Sequence, residues 1–181
     1  MGRFATHGGP AAAEIMRTMT TRRHLLAAAL LPLAGCGFEL RRAPELKFHS
    51  IQLANFKPRS PLAAELRRSI NASTTTVVVE GLAQAQVVLD AVEDVRQKVV
   101  VASGSVGQVT EFQLRARFKF RLRSVSGREL IPETEILQNR DLSYTESAAL
   151  AKEQEENFLY RAMQNDIVSQ VMRRLASVQT F

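Results

Sequence analysis

The chain has 181 residues, 24 Lys+Arg against 18 Asp+Glu for a formal net charge of +6, 45% hydrophobic residues, one cysteine and no tryptophan. That length suits one domain with a real core, and the hydrophobic share excludes wholesale disorder. A single cysteine excludes a disulfide framework, a multi-cysteine zinc site and a Cys-x-x-Cys redox pair.

The first 35 residues read as an address. Arg22-Arg23 precede the apolar run Leu25–Leu33, and small residues Ala34-Gly35 follow directly before Cys36. A basic segment, a short apolar stretch and a small-residue cut site make a secretory signal peptide over residues 1–35. The apolar run is far shorter than the roughly 20 residues a membrane-spanning helix needs. Leu33-Ala34-Gly35-Cys36 resembles the bacterial lipobox. That resemblance implies cleavage before Cys36, lipid on its sulfur and acylation of the new amine. Such multiple acylation exceeds the roughly two signals that hold a protein stably on a membrane. Met16 or Met19 would give a signal of more usual length, so the segment before them reads as an over-called start. Thr21-Arg22-Arg23-His24-Leu25-Leu26 is also similar to a twin-arginine export motif, and equally fits a plain basic leader. Gly37 follows the cysteine, where an Asp would resemble an inner-membrane retention signal; its absence favours the outer membrane. Cleavage removes four arginines and one glutamate, leaving 20 bases, 17 acids and a net charge of +3. Basicity is then a weak argument for a nucleic-acid partner.

Residues 36–46 form a short lipidated linker, and 47–181 form a single domain. A brief strand is expected over Lys47–Asn55. Ser60-Pro61 supplies an N-cap and a proline at the first helical position. Leu62, Leu66 and Ile70 recur at i, i+4 and i+8, which predicts an amphipathic helix of about three turns. Val77–Val79 and Val87–Leu89, parted by Gly81, carry strand character that runs weakly to Val101. The turn Ser103–Gly107 leads into the best strand, Glu111–Arg123. A second turn at Ser126-Gly127 leads to a strand around Glu135–Tyr144, with Pro132 near its start. Ser147–Ala176 carries Phe158, Leu159, Ala162, Met163, Ile167, Val171 and Leu175 on one stripe, which predicts a long helix. The order β-α-β-β-β-α predicts an α+β fold: a mixed four-stranded sheet with two helices packed on one face.

Within Glu111–Arg123, apolar Leu114, Ala116, Phe118, Phe120 and Leu122 alternate with Arg115, Arg117, Lys119, Arg121 and Arg123. Strand side chains alternate faces, so the second set forms a ladder of five cations about 6.6–6.8 Å apart. Two readings stand. The ladder pairs with acids on neighbouring strands, for which Asp90, Asp94, Glu133, Glu135 and Asp141 are available. Alternatively it meets a polyanion, such as glycolipid phosphates, or an acidic partner wall. No Trp or Tyr interleaves the cations, so the stacking platform of a single-strand nucleic-acid binder is missing. His49 is the only histidine after Cys36, and no nucleophile elbow, phosphate loop or zinc-helix motif is present. An enzyme is not expected, nor a cofactor or a metal site.

Several segments together resemble the LptE family of lipopolysaccharide-assembly lipoproteins. They are Cys36-Gly37-Phe38-Glu39-Leu40-Arg41 at the anchor, Ser60-Pro61-Leu62 opening a helix, Gly107–Gln113 entering a strand, Ala149–Glu156, and Met172-Arg173-Arg174-Leu175 ending the last helix. The resemblance implies an outer-membrane lipoprotein on the periplasmic leaflet, with a mixed sheet backed by two helices. It implies a plug inside an LptD-type β-barrel that assists barrel assembly and delivers lipopolysaccharide to the cell surface. Lys152 matches a family lysine implicated in contacting lipopolysaccharide, beside the alternative of a solvated lysine at a helix start. A basic residue that some members carry before the Gly-Gln turn is here Ser105, which moves lipid contact towards the Arg115–Arg123 ladder. The competing reading is a periplasmic lipoprotein that binds anionic lipid as an auxiliary of an ABC lipid transporter, with no barrel.

Overall fold

A computed structural model describes residues 45–105 and 107–179. The signal peptide, Cys36 with its lipidation, and the linker up to residue 44 lie outside the described residues. The elements in order are β1 (Ser50–Ala54), α1 (Pro61–Asn71), β2 (Val77–Val79), β3 (Val87–Ser103), β4 (Val109–Ser124), β5 (Glu129–Ser143) and α2 (Ala149–Ala176). They build one mixed sheet in the order β2-β1-β3-β4-β5, with β1, β2 and β3 parallel and β3-β4-β5 an antiparallel meander.

The architecture is the expected α+β arrangement, with one strand more. Val77–Val79 and Val87–Leu89 are not one strand. A single 3₁₀ turn at Leu82–Gln84 breaks the chain after Gly81, and the two valine runs then flank β1 on opposite sides. β5 also begins earlier than its alternation suggests, at Glu129. Between the pairs Leu122–Ile131 and Phe120–Thr134, β5 spends three residues where β4 spends two. That bulge accommodates Pro132, which cannot donate to a ladder.

Helix α1 forms as its signals direct. Ser60 Oγ accepts from the Ala63 amide at 3.2 Å, Pro61 stands at the first turn, and Leu62, Leu66 and Ile70 are buried. On the sheet, Ile51, Val87, Leu89, Leu114, Phe118, Phe120 and Leu122 face the two helices in one continuous core that also takes Leu46 and Phe48. Phe56, Phe118 and Phe120 stack in sequence, with centroids 5.8 and 5.4 Å apart. Helix α2 buries Met163, Ile167, Val168, Val171, Met172 and Leu175. Phe158, expected on that stripe, is 63% exposed. The apolar stripe therefore meets the sheet only from Leu159 onward, and the first two turns of α2 bury no side chain.

Strand β3 has a feature that positions everything described below. Its register slips between Ala91 and Glu93, so Val92 is surplus to the ladder with β4. Before the slip Val87, Leu89 and Ala91 point to the helices; after it Asp94, Arg96 and Lys98 do, opposite Phe118, Ala116 and Leu114. A bulge of this kind re-aims the side chains that follow it.

Candidate functional site: the charged sheet face and the helix start

The face of the sheet opposite the helices carries the five cations of β4, as the alternation predicts. They do not stand alone. Arg123 Nε donates to Asp90 Oδ2 at 2.8 Å, and Arg121 Nε approaches the same oxygen at 3.4 Å. Asn55, in the left-handed region at φ 62°, donates to the other oxygen at 3.3 Å. Glu93 bridges Arg117 at 3.6 Å and Lys119 at 3.3 Å, and Glu135 reaches Lys119 at 3.5 Å from β5. Arg115 Nε donates to the neutral Gln113 side chain at 2.8 Å. Four of the five cations thus meet three carboxylates, and Arg115 meets none.

The bulge explains this fit. Asp90 and Glu93 are three apart yet share one face, because Val92 absorbs the odd residue; opposite them Arg121 and Lys119 are two apart. Glu93 is the acid that sequence reasoning missed, since strict alternation puts positions 90 and 93 on opposite faces. Of the other expected partners, Asp94 faces the helices and accepts from Ser60 Oγ at 2.9 Å, while Asp141 accepts only from the Gln113 amide at 3.2 Å. Glu133 forms no ion pair among the described residues. The Lys119 ammonium is held above its ordinary range chiefly by its hydrogen bond to Glu93, then by the charge of that carboxylate, with burial opposing and Glu135 adding to the rise. Arg117 Nε is buried without a hydrogen-bond partner, the one guanidinium nitrogen so placed among the described residues. Apolar Val88, Val95, Val99 and Leu137 share this face through their register with β4. It is a banded surface of valines beside paired charges.

Lys152 lies far along the molecule from Arg123, in the first turn of α2. Its Nζ donates to Ser143 Oγ at 3.0 Å and pairs with Glu155 at 2.8 Å, with its side chain 19% exposed. It ties the start of α2 to the end of β5. Ser105 is exposed in the β3–β4 turn. The structure therefore brings Arg115 through Arg123 together and holds Lys152 at a separate place.

A hydrogen-bonded junction also joins three elements on the helix side. Arg96 Nη2 donates to Gln164 Oε1 at 2.5 Å, and its guanidinium lies 5.4 Å from the centroid of the Tyr160 ring. Gln164 Nε2 donates to the Pro61 carbonyl at 3.1 Å, and Tyr160 Oη to the Gln97 carbonyl at 2.9 Å. Burial holds the Tyr160 hydroxyl above its ordinary range, with the Glu156 charge adding and Arg96 opposing. No helix among the described residues is long and apolar enough to cross a membrane.

The chain can now be set beside known proteins. The family model for LptE, lipopolysaccharide-assembly, matches residues 48–175. Among curated proteins, the LPS-assembly lipoprotein LptE of Photorhabdus laumondii is 27% identical over 161 residues, covering 85% of this chain and 84% of that one. The Yersinia pestis protein of the same name is 26% identical over 156 residues, covering 85% and 74%. A solution NMR structure of an uncharacterized lipoprotein B from Nitrosomonas europaea is 31% identical with a TM-score of 0.67, covering 78% of this chain and 91% of that one. The crystal structure of the rare lipoprotein B from Shewanella oneidensis, 19% identical with a TM-score of 0.60 and covering 71% and 95%, shares the fold. The family match runs from the first buried aromatic residue to the last buried leucine of α2, so the chain belongs to the LptE family of lipopolysaccharide-assembly lipoproteins.

Proposed function

We propose that this lipoprotein, anchored through Cys36 to the periplasmic leaflet of the outer membrane, seats as a plug in an LptD-type β-barrel. There it assists assembly of the barrel and passage of lipopolysaccharide to the cell surface. The observation that carries the reading is the family match across residues 48–175, nearly all of the packed body. The geometry is compatible with it. Both helices cover one sheet face, while the opposite face bands valines with paired charges, a surface suited to a wall that is partly polar and partly apolar. Four of the five cations are matched by Asp90, Glu93 and Glu135, and Arg115 pairs with no carboxylate, which leaves it available to an anionic lipid or an acidic wall. In this reading Arg115, Arg117, Lys119, Arg121 and Arg123 meet that wall or lipid, and Lys152 meets lipopolysaccharide once Glu155 releases it.

The test is a mild-detergent pull-down of the tagged, lipidated chain from outer membranes. Co-purification of a large heat-modifiable barrel in near one-to-one ratio, with loss of that barrel on depletion of the lipoprotein, is the expected result. Glycolipid recovered without any barrel would replace the plug by a lipid-carrying auxiliary of an ABC transporter.

A further inference from the structure

Several cations that lack a neutralising carboxylate lie together on the helix side, along the cleft between the two helices and the loop that precedes α1. An open cleft of about 900 Å³ runs between α1 and α2 and is lined by Arg68, Arg96 and Arg161 with Glu65. A smaller depression of about 280 Å³ adjoins it, sharing Pro61 and Arg96, and adds Lys57 and Arg59 with Asp94. Five cations thus line one continuous path with two acids. Both acids are already engaged, Glu65 by Arg68 and Asp94 by the Ser60 hydroxyl.

The three remaining guanidinium groups have no anionic partner. The side chains of Arg59, whose backbone is in the left-handed region at φ 59°, and of Arg161 form no hydrogen bond or ion pair among the described residues. Arg96 is different in kind. Among the described residues its partners are the neutral Gln164 amide and the face of Tyr160, so its position is fixed with no carboxylate beside it. Gln164 is itself anchored on the Pro61 carbonyl, so α1, α2 and β3 fix this guanidinium jointly. A pre-positioned donor loses less freedom on binding than a mobile one. Asn157 and Asn165 supply neutral amides along the same cleft.

Arginine presents a planar fork that matches phosphate oxygens two at a time, and charge-assisted bonds of this kind are about twice as strong as neutral ones. We propose that the groove between α1 and α2 is a binding site for an anion bearing two or more phosphate groups, held by Arg96 with Arg59 and Arg161 at either side. The amides suit hydroxyl groups on the same ligand, and a cleft of this volume is within the usual range for a bound small molecule. Because Val92 is surplus to the ladder, Arg96 comes opposite Ala116 and faces the helices; were Val92 paired within the ladder, Arg96 would face the cations instead. Two sources carry this chemistry: the headgroup of a phosphorylated glycolipid, and free pyrophosphate.

The experiment uses the full lipidated chain in dodecyl maltoside, titrated calorimetrically with bis-phosphorylated lipid A in mixed micelles, with its monophosphoryl form and with inorganic pyrophosphate. Arg59→Gln with Arg161→Gln is the test variant, since neither side chain holds the fold together; an unchanged thermal midpoint confirms that. Arg128→Gln, exposed in the β4–β5 turn away from both the ladder and the groove, is the control. The expected result is binding of the bis-phosphorylated lipid that weakens at least tenfold in the double variant, weakens in salt, and changes less than twofold in the control. Lipid binding without pyrophosphate binding identifies the headgroup as the ligand, and pyrophosphate binding that the double variant abolishes identifies the soluble anion. Equal binding by wild type and double variant, or no binding of any probe at millimolar concentration, overturns the site. The double variant is expected to retain the barrel in the pull-down, so failure here and failure of the plug reading are separable.

Discussion

Arg123 donates to Asp90 across the β3–β4 ladder at 2.8 Å, onto a carboxylate whose side chain is 3% exposed. Arg121 shares that oxygen and Asn55 takes the other. Asp90→Asn keeps the shape, removes the charge and leaves two half-exposed arginines facing each other. The expected loss is about 1–3 kcal/mol, the range for a buried polar group whose partners are left unmatched. Urea denaturation reads it as a lower midpoint at unchanged slope. A change within about 0.5 kcal/mol would mean that the cluster adds no net stability.

Two groups predict alkaline weakness. Lys119 and Tyr160 both hold their protons more tightly than the ordinary values of 10.5 and 10.0, the first chiefly through Glu93 and the second chiefly through burial. The folded state then binds more protons than the unfolded chain from about pH 10 upward, so stability falls as pH rises through that range. Near neutrality these two groups contribute no slope. Tyr160→Phe should flatten the alkaline loss while costing about 0.5–1.5 kcal/mol at pH 7, for the bond to the Gln97 carbonyl. Parallel pH profiles for wild type and variant above pH 10 would contradict this assignment.

Phe118 and Phe158 should behave as opposites. Phe118 is fully buried and stacked between Phe56 and Phe120, so Phe118→Ala is expected to cost about 3–5 kcal/mol. Phe158 stands out from the first half of α2, and Phe158→Ala should stay within about 0.5 kcal/mol. Thermal unfolding of the pair separates the packed stripe from the exposed one.

Gly127 and Gly81 make a second contrast. Gly127 closes the β4–β5 turn at φ 92°, and a Cβ there would meet nothing within 4 Å. Any loss in Gly127→Ala is therefore backbone strain, about 1–2 kcal/mol. Gly81 sits in ordinary extended geometry at φ −96°, also with open space around it. Gly81→Ala should stabilise by about 0.4–1 kcal/mol through the unfolded chain. Equal effects at the two positions would be inconsistent with these backbone conformations.

Much of the fold was legible because its signals are local. The Ser60-Pro61 start, the Leu62–Leu66–Ile70 spacing and the strict alternation from Leu114 to Arg123 each state their structure within a dozen residues, and each formed as read. The separation of Val77–Val79 from Val87 was not legible, because which side of β1 a three-residue strand joins is decided by the crossover through α1. Phe158 misled for a related reason: periodicity gives the face of a helix but not where the sheet beneath it ends. The ladder's cations were visible, whereas Glu93 as their partner depends on a bulge with no signature in sequence. The interhelical groove was the least visible feature, since Arg59, Arg96 and Arg161 come from a loop, a strand and a helix that only the finished fold brings together.

The slip at Val92 has a consequence for chain length as opposed to chemistry. β3 is one residue longer at that point than β4 requires, so excising Val92 would leave Glu93 opposite Lys119 and every later side chain on its present face. Excising Val95, inside a regular stretch, would instead swap the faces of everything from Arg96 to Val100. A strand interior is ordinarily the worst place to shorten a protein. Here one position in its middle is expendable, and the shortened chain should still unfold cooperatively where its neighbour, three residues on, should not.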